Sequence, residues 1–204
     1  SIDDAAKVVV ASSSSVYGEV PLAELPVAEA RDLDPIAPYP LSKVQTEEVT
    51  RMLCDMNDLP YAVLRFFSVY GPRQRPDEAF TKFISKALAG ETIPIYGDGE
   101  QSRDFTHVFD VVDGTVRAAE RGRGTYNLGS GRRVTVNDMV ETLDDVLGGV
   151  EAEHVEQPPG DAEHTHADIS KAREELGYEP SIGFREGAES CVEWCREMSE
   201  AGIL

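Results

Sequence analysis

Apolar residues along the chain follow two rhythms. Val8 to Val10 and Tyr61 to Leu64 are unbroken apolar runs, as expected of parallel strands buried on both faces. The first continues through Ser13 and the second through Phe67, so two buried strands are predicted at residues 8–13 and 61–67. Elsewhere apolar positions recur every three or four residues, the period of a half-buried helix. Helices are predicted at about residues 40–57, 77–89, 110–121, 135–147, 168–176 and 184–198. The first ends at the punctuation Asn57-Asp58-Leu59-Pro60, the second at Gly90, and the fourth opens on Thr135 as N-cap with Gly148 and Gly149 beyond it. Shorter strands are predicted at 92–96, 105–109 and 125–128, and residues 17–40, rich in Pro, Ala and acids, read as a long loop. Strands alternating with helices define an α/β chain. The layout suits a parallel sheet over residues 1–70 and a small α/β lobe over 71–204, with some later segments returning to the sheet.

Candidate chemistry gathers where the first strand ends. In open α/β sheets ligands bind beyond the carboxyl ends of the strands, and Ser13 stands there within the polar run Ser12 to Ser15. Downstream comes Tyr39-Pro-Leu-Ser-Lys43. On a helix, residues four apart share a face, so phenol and ammonium emerge together. A cation beside a phenol favours the phenolate, and serine, tyrosine and lysine together can move a proton. Read as plain structure, the same residues are an exposed helix pair and a serine capping a strand end.

Further blocks follow in order: Val16-Tyr17-Gly18, Arg65 to Gln74 (RFFSVYGPRQ), Tyr96 to Phe105 (YGDGEQSRDF), Asn127-Leu128-Gly129-Ser130-Gly131 and Leu176-Gly177-Tyr178-Glu179-Pro180. Together with Ser13 and Tyr39 to Lys43, they resemble the extended short-chain dehydrogenase/reductase superfamily, in its branch of NAD-dependent nucleotide-sugar epimerases and dehydratases. The resemblance implies a doubly wound, NAD-binding Rossmann sheet joined to a small substrate-binding lobe. No G-x-G-x-x-G fingerprint for a cofactor pyrophosphate occurs in this sequence. The resemblance therefore implies the C-terminal portion of a family member, lacking its first strands.

By the same resemblance Ser13, Tyr39 and Lys43 are catalytic, and Tyr39, Lys43 and Phe67 contact NAD. Substrate contacts carry over to Ser13, Ser68, Phe80, Pro94, Ile95, Tyr96, Arg103 and Asp161. Arg103 matches an arginine that grips the diphosphate, a task suited to a bidentate guanidinium. Pro94, Ile95 and Tyr96 match the strand flanking the uracil. Two positions depart from the family pattern: Ser68 stands where asparagine is usual, and Pro158 where an arginine commonly precedes Pro159-Gly160-Asp161. His164 and His166 are nearby cations that could compensate, and Arg73 and Arg75 add two basic groups in the loop after Gly71-Pro72.

A dehydratase of this branch carries an acid after the serine position, whereas this chain has Ser14 and Ser15, neither able to protonate a leaving hydroxyl as a carboxylic acid does. The expected activity is thus 4-epimerisation of a UDP-hexose, UDP-glucose to UDP-galactose, through transient oxidation at C4. UDP-glucuronate or an N-acetylated sugar is the alternative within the fold. From another class, the alternative is a non-catalytic, sugar-nucleotide-binding remnant. The resemblance also implies a homodimer formed through the helix bearing Tyr39 and Lys43.

Composition narrows the partners. With 38 acidic against 19 basic residues the net charge is -19, a field that repels nucleic acid and anionic membranes. No apolar stretch approaches the eighteen or so residues of a membrane helix, and no signal segment opens the chain, so a cytoplasmic location is the default. Cys54, Cys191 and Cys195 form no C-x-x-C and read as reduced, half-buried packing residues; the four histidines show no metal-ligand spacing. The acids spread along the chain as solvated helix faces, which we read as adaptation to high salt. The melting temperature is then expected to rise from low to molar salt; a flat profile would refute this reading.

Overall fold

The computed structural model describes residues 6–156 and 163–203. In chain order its strands are β1 (Val8–Ser13), β2 (Tyr61–Phe66), β3 (Ser68–Tyr70), β4 (Ile93–Tyr96), β5 (Ser102–Arg103), β6 (Phe105–His107), β7 (Gly124–Leu128), β8 (Val134–Thr135) and β9 (Ala152–Val155). Its helices are α1 (Pro38–Met56), α2 (Ala79–Leu88), α3 (Val108–Arg121), α4 (Val136–Leu147), α5 (Ser170–Leu176) and α6 (Phe184–Glu200). The fold is α/β, with parallel sheets.

The central sheet has the order β1-β2-β7, all parallel. Its register aligns Ser12, Arg65 and Asn127 in one transverse row and Ser13, Phe66 and Leu128 in the next. Helices α1 and α3 pack on β1 and β2, and α5 packs on β7. Two hydrophobic cores result. One gathers Val16, Tyr17, Ala62, Leu64, Tyr126 and Leu128 with residues of α5. The other joins α2, α4 and α6 around Tyr70, whose ring meets Phe80 edge-on at 5.3 Å and Phe105 at 5.9 Å.

Most predicted elements are present, with shifted ends. The region predicted as one loop contains two short 3-10 turns, Ser14–Tyr17 and Leu22–Glu24. Residues 61–67 divide at Phe67 into β2 and β3, which join different sheets. The strand predicted at 105–109 stops at His107, and the helix expected from 110 begins at Val108. The reason is a cap: the imidazole Nδ1 of His107 accepts the Phe109 N–H at 3.3 Å. Thr135 does cap α4, reciprocated by Asp138 in a capping box. All three cysteines are free and fully buried rather than half-buried. Burial pushes the Cys191 thiol up to about 12 and Cys195 to about 11, so both are poor nucleophiles.

Because Nδ1 of His107 accepts, its proton sits on Nε2, which donates to Ser190 Oγ at 3.2 Å; that hydroxyl passes a hydrogen bond to the Gly187 carbonyl at 2.8 Å. Burial lowers the His107 pKa from its ordinary value, against the pull of Asp110 and Glu186. A lowered folded value means that the unfolded chain binds the proton first. The stabilising contribution is therefore complete above about pH 6.5 and is lost as pH falls through the folded value. Urea unfolding at pH 7.5 and pH 5 is expected to show lower stability in acid, with a smaller difference in His107→Asn, which can still cap but does not titrate.

Candidate active site

The site is built where β1 runs out. Ser13 closes the strand with extended dihedrals and caps the following 3-10 turn. Its Oγ accepts the Ser15 N–H at 3.2 Å and the Ser15 hydroxyl at 2.9 Å, which leaves its own proton to donate. Ser12, its neighbour, is committed elsewhere: its buried hydroxyl donates to Glu47 Oε1 at 2.5 Å.

Helix α1 begins one residue before Tyr39, so the phenol projects from the first turn, 58 % exposed. Lys43 lies one turn on. Its ammonium stands 5.7 Å from the Tyr39 ring centroid and donates to the Ala11 carbonyl of β1 at 3.0 Å, tying the helix face to the strand.

Ser13 and Tyr39 line one cleft of about 740 Å³ between the two cores. Phe67, Ser68, Phe80, Tyr96 and Arg103 line it too. A volume of this size suits a small-molecule ligand. Ser68 is fixed by its backbone, whose N–H donates to the Asp104 carbonyl at 3.0 Å. Arg103 Nη1 donates to the carbonyls of Ser102 at 3.2 Å and Glu163 at 3.0 Å, which anchor the guanidinium at the cleft wall. Arg73 and Arg75 stand on the rim; Arg73 adopts a left-handed φ of 71°, and Arg75 pairs with Asp77 and Glu78.

Two expected contacts, Pro94 and Ile95, are not brought to the cleft. Along β4 the side chains alternate, so Ile93 and Ile95 are buried while Tyr96 reaches the cleft. Pro94 shares the Tyr96 side but is half-buried and does not line the cleft. Asp161 lies outside the described residues. The two loop histidines are structural ties: His164 Nδ1 meets Ser102 Oγ at 3.0 Å and His166 Nε2 meets the Gly131 carbonyl at 3.1 Å. No cluster of His, Cys, Asp and Glu able to hold a metal is present among the described residues.

Sequence reasoning missed the supports behind the cleft. Asp104 is fully buried and accepts from Ser130 N at 2.6 Å, Ser130 Oγ at 2.7 Å, Thr106 Oγ1 at 3.3 Å, Gly131 N at 3.1 Å and Ala167 N at 3.0 Å. Burial pushes its carboxyl up from the ordinary value, opposed by the Ala167 and Ser130 hydrogen bonds. This one side chain therefore holds the Asn127 to Gly131 loop and the Ala167 segment beside Arg103. Gln74 does similar work on the rim, donating to the Val69 carbonyl at 3.0 Å and accepting from Thr81 at 2.9 Å. Arg65, a lone charge inside an apolar strand, was the available signal for a further buried group. It finds Glu47.

A dinucleotide is implied by the resemblance, and the residues at this end of the cleft fit its nicotinamide half. Buried Phe67 offers an apolar wall, and exposed Tyr39 and its ammonium neighbour offer a polar edge.

Residues 1–191 match the family model described as GDP-mannose 4,6 dehydratase, and the chain belongs to that family of NAD-dependent epimerases and dehydratases. It is 38% identical over 183 residues to a Bacillus subtilis protein named as an uncharacterized UDP-glucose epimerase, covering 88% of this chain and 57% of that one. It is 36% identical over 199 residues to a UDP-glucuronate 4-epimerase of Thermodesulfobacterium geofontis, covering 95% of this chain and 60% of the relative. Among solved structures, the Thermotoga maritima UDP-glucose 4-epimerase with UDP-glucose superposes with a TM-score of 0.91 at 34% identity, over 96% of this chain and 65% of that one. The Bacillus cereus UDP-glucuronic acid 4-epimerase with UDP-glucuronic acid and NAD gives 0.87 at 34% identity, over 94% and 62%. The chain thus spans about three fifths of the length of these relatives.

Asp104→Asn replaces an acceptor of five hydrogen bonds by a group whose NH2 faces N–H donors. A loss of about 3 kcal/mol is expected in urea unfolding, since buried donors are left without an acceptor.

Proposed function

We propose that this chain carries the proton-transfer residues and the sugar-nucleotide cleft of an NAD-dependent nucleotide-sugar 4-epimerase, acting on UDP-glucose and UDP-galactose. The observation that carries the reading is the placement of Ser13 and Tyr39 on one cleft, with Lys43 beside the tyrosine ring. Tyr39 is the base that takes the proton of the sugar 4-hydroxyl. Ser13 holds that hydroxyl by donating its own proton to the sugar oxygen, a role open to it because both Ser15 contacts use its lone pairs rather than its proton. Lys43 places its ammonium beside the tyrosine ring, and Arg103 grips the diphosphate. Phe80 and Tyr96 give the sugar nucleotide an apolar wall. NAD, contacted by Tyr39, Lys43 and Phe67, supplies the hydride acceptor and donor at C4.

Geometry supports epimerase over dehydratase. Ser14 and Ser15 are folded into the 3-10 turn, and Ser15 spends its hydroxyl proton on Ser13. Neither offers an acid for a leaving hydroxyl. A second copy is the expected partner, through the exposed stripe Val49, Met52, Leu53 and Met56 of α1.

The test is conversion of UDP-galactose with NAD added. Tyr39→Phe is expected to lower kcat by about 10²- to 10⁴-fold, the usual contribution of a positioned base, while UDP affinity stays within about twofold. Retention of most activity would remove Tyr39 from the mechanism. Faster turnover of UDP-glucuronate would move the substrate assignment to that sugar, and absence of both NAD binding and turnover would favour the non-catalytic remnant.

A further inference from the structure

Behind the cleft, a charged pair is buried where an apolar contact would have served. Glu47 and Arg65 are 7 % and 5 % exposed. Glu47 follows Tyr39 and Lys43 along α1 at the same four-residue step, so the three form one stripe drifting slowly around the helix. Its carboxylate receives two parallel bonds from Arg65 of β2, Nε to Oε1 at 3.1 Å and Nη2 to Oε2 at 2.7 Å, plus the Ser12 hydroxyl of β1. Arg65 Nη1 donates to the Tyr17 hydroxyl at 2.9 Å and to the Glu29 carbonyl at 3.1 Å, and its guanidinium lies 4.9 Å from the Tyr17 ring centroid. Tyr17 in turn donates to Asn127 Oδ1 at 2.6 Å. Burial holds the Tyr17 phenol up at about 12, against the pull of Arg65, so it stays a neutral donor and is no rival base.

From this network we infer that Glu47 and Arg65 are positioning residues for the Tyr39–Lys43 pair, setting where α1 sits along β1. The inference rests on the proposed function for its catalytic consequence. Its physical basis is geometric. Ser12 and Arg65 occupy the sheet row immediately before Ser13, and a two-pronged guanidinium–carboxylate bond accepts one helix position where a greasy contact accepts several. Lys43 then meets Ala11, and Tyr39 stands on the cleft that Ser13 also lines, both following from the pinned helix. An error of about 1 Å in such a placement costs about 100-fold in rate.

Glu47→Gln removes the charge and keeps the shape. The double variant Glu47→Met with Arg65→Met removes the pair but refills the space, which keeps the fold when the single variant loses it. Two readouts are taken on the full chain: kcat and KM with NAD added, and the nuclear Overhauser contact between the Lys43 side chain and the Ala11 methyl group. Each folded variant is expected to lose that contact and at least tenfold in kcat, with KM within twofold, at temperatures well below its melting point. Persistence of the contact, or its loss with kcat unchanged, would overturn the inference. If the unaltered chain shows no turnover, the proposed function fails, and the Overhauser contact alone decides: kept in the double variant, it overturns the positioning role; lost, it supports it.

Discussion

A guanidinium in the middle of a buried strand cannot be left alone, and much of this structure answers that requirement. Arg65 lies in β2 between apolar neighbours, and burial alone would pull its pKa down; hydrogen bonds to Glu47 and Tyr17 more than reverse that. Its partners come from α1, the turn after β1 and the loop at Glu29; Ser12 of β1 joins through Glu47, and Tyr17 carries the connection to Asn127 of β7. Segments far apart in sequence are thereby forced into one arrangement. Such a pair adds little net stability, because desolvation offsets most of the attraction, yet breaking it costs about 3–5 kcal/mol. Its contribution is to make one packing much better than its near neighbours.

The second polar knot, around Asp104, works on the other wall. Its side chain fastens the loop after β7, and its backbone carbonyl holds Ser68, so the residues next to Arg103 are fixed from two directions. The cleft lies between an apolar sheet core and an apolar helix core, with one buried polar network behind each of its walls. The chain's large negative charge is locally relieved there, since Arg73 and Arg103 border the cleft, while Arg75 is taken up by Asp77 and Glu78. For an anionic ligand the near field, inside a screening length of about 10 Å, outweighs the distant acids.

What the sequence disclosed followed its periodicity. Unbroken valine and leucine runs are legible as buried strands, and α2, α4 and α6 as amphipathic helices, because each buries one stripe. The region around His107 was misread because the switch from strand to helix depends on an imidazole cap, and histidine is an uncommon cap residue. Ile95 reads with Tyr96 as one block in the sequence, whereas a strand sends adjacent residues to opposite sides. Glu47 looked like one more solvated acid next to Glu48; only the fold shows that one faces inward and the other water. Arg65 was visible as an anomaly, but its partners lie 18 and 48 residues away and no local pattern names them.

Ser13 shows why a plain structural reading and a chemical one need not compete. As a cap it uses lone pairs, accepting from the Ser15 amide and hydroxyl, and those two bonds fix its rotamer at the end of β1. As a donor to a ligand it would use the one thing that capping leaves free, its proton. The cap therefore orients the donor, much as the Lys43 bond to Ala11 orients the ammonium beside Tyr39. Ser12, its buried neighbour, gives its hydroxyl proton to Glu47 and has none left to donate to a ligand. Alternation along a single strand thus assigns two adjacent serines to different work, one to holding the helix in place and the other to facing the cleft that the helix borders.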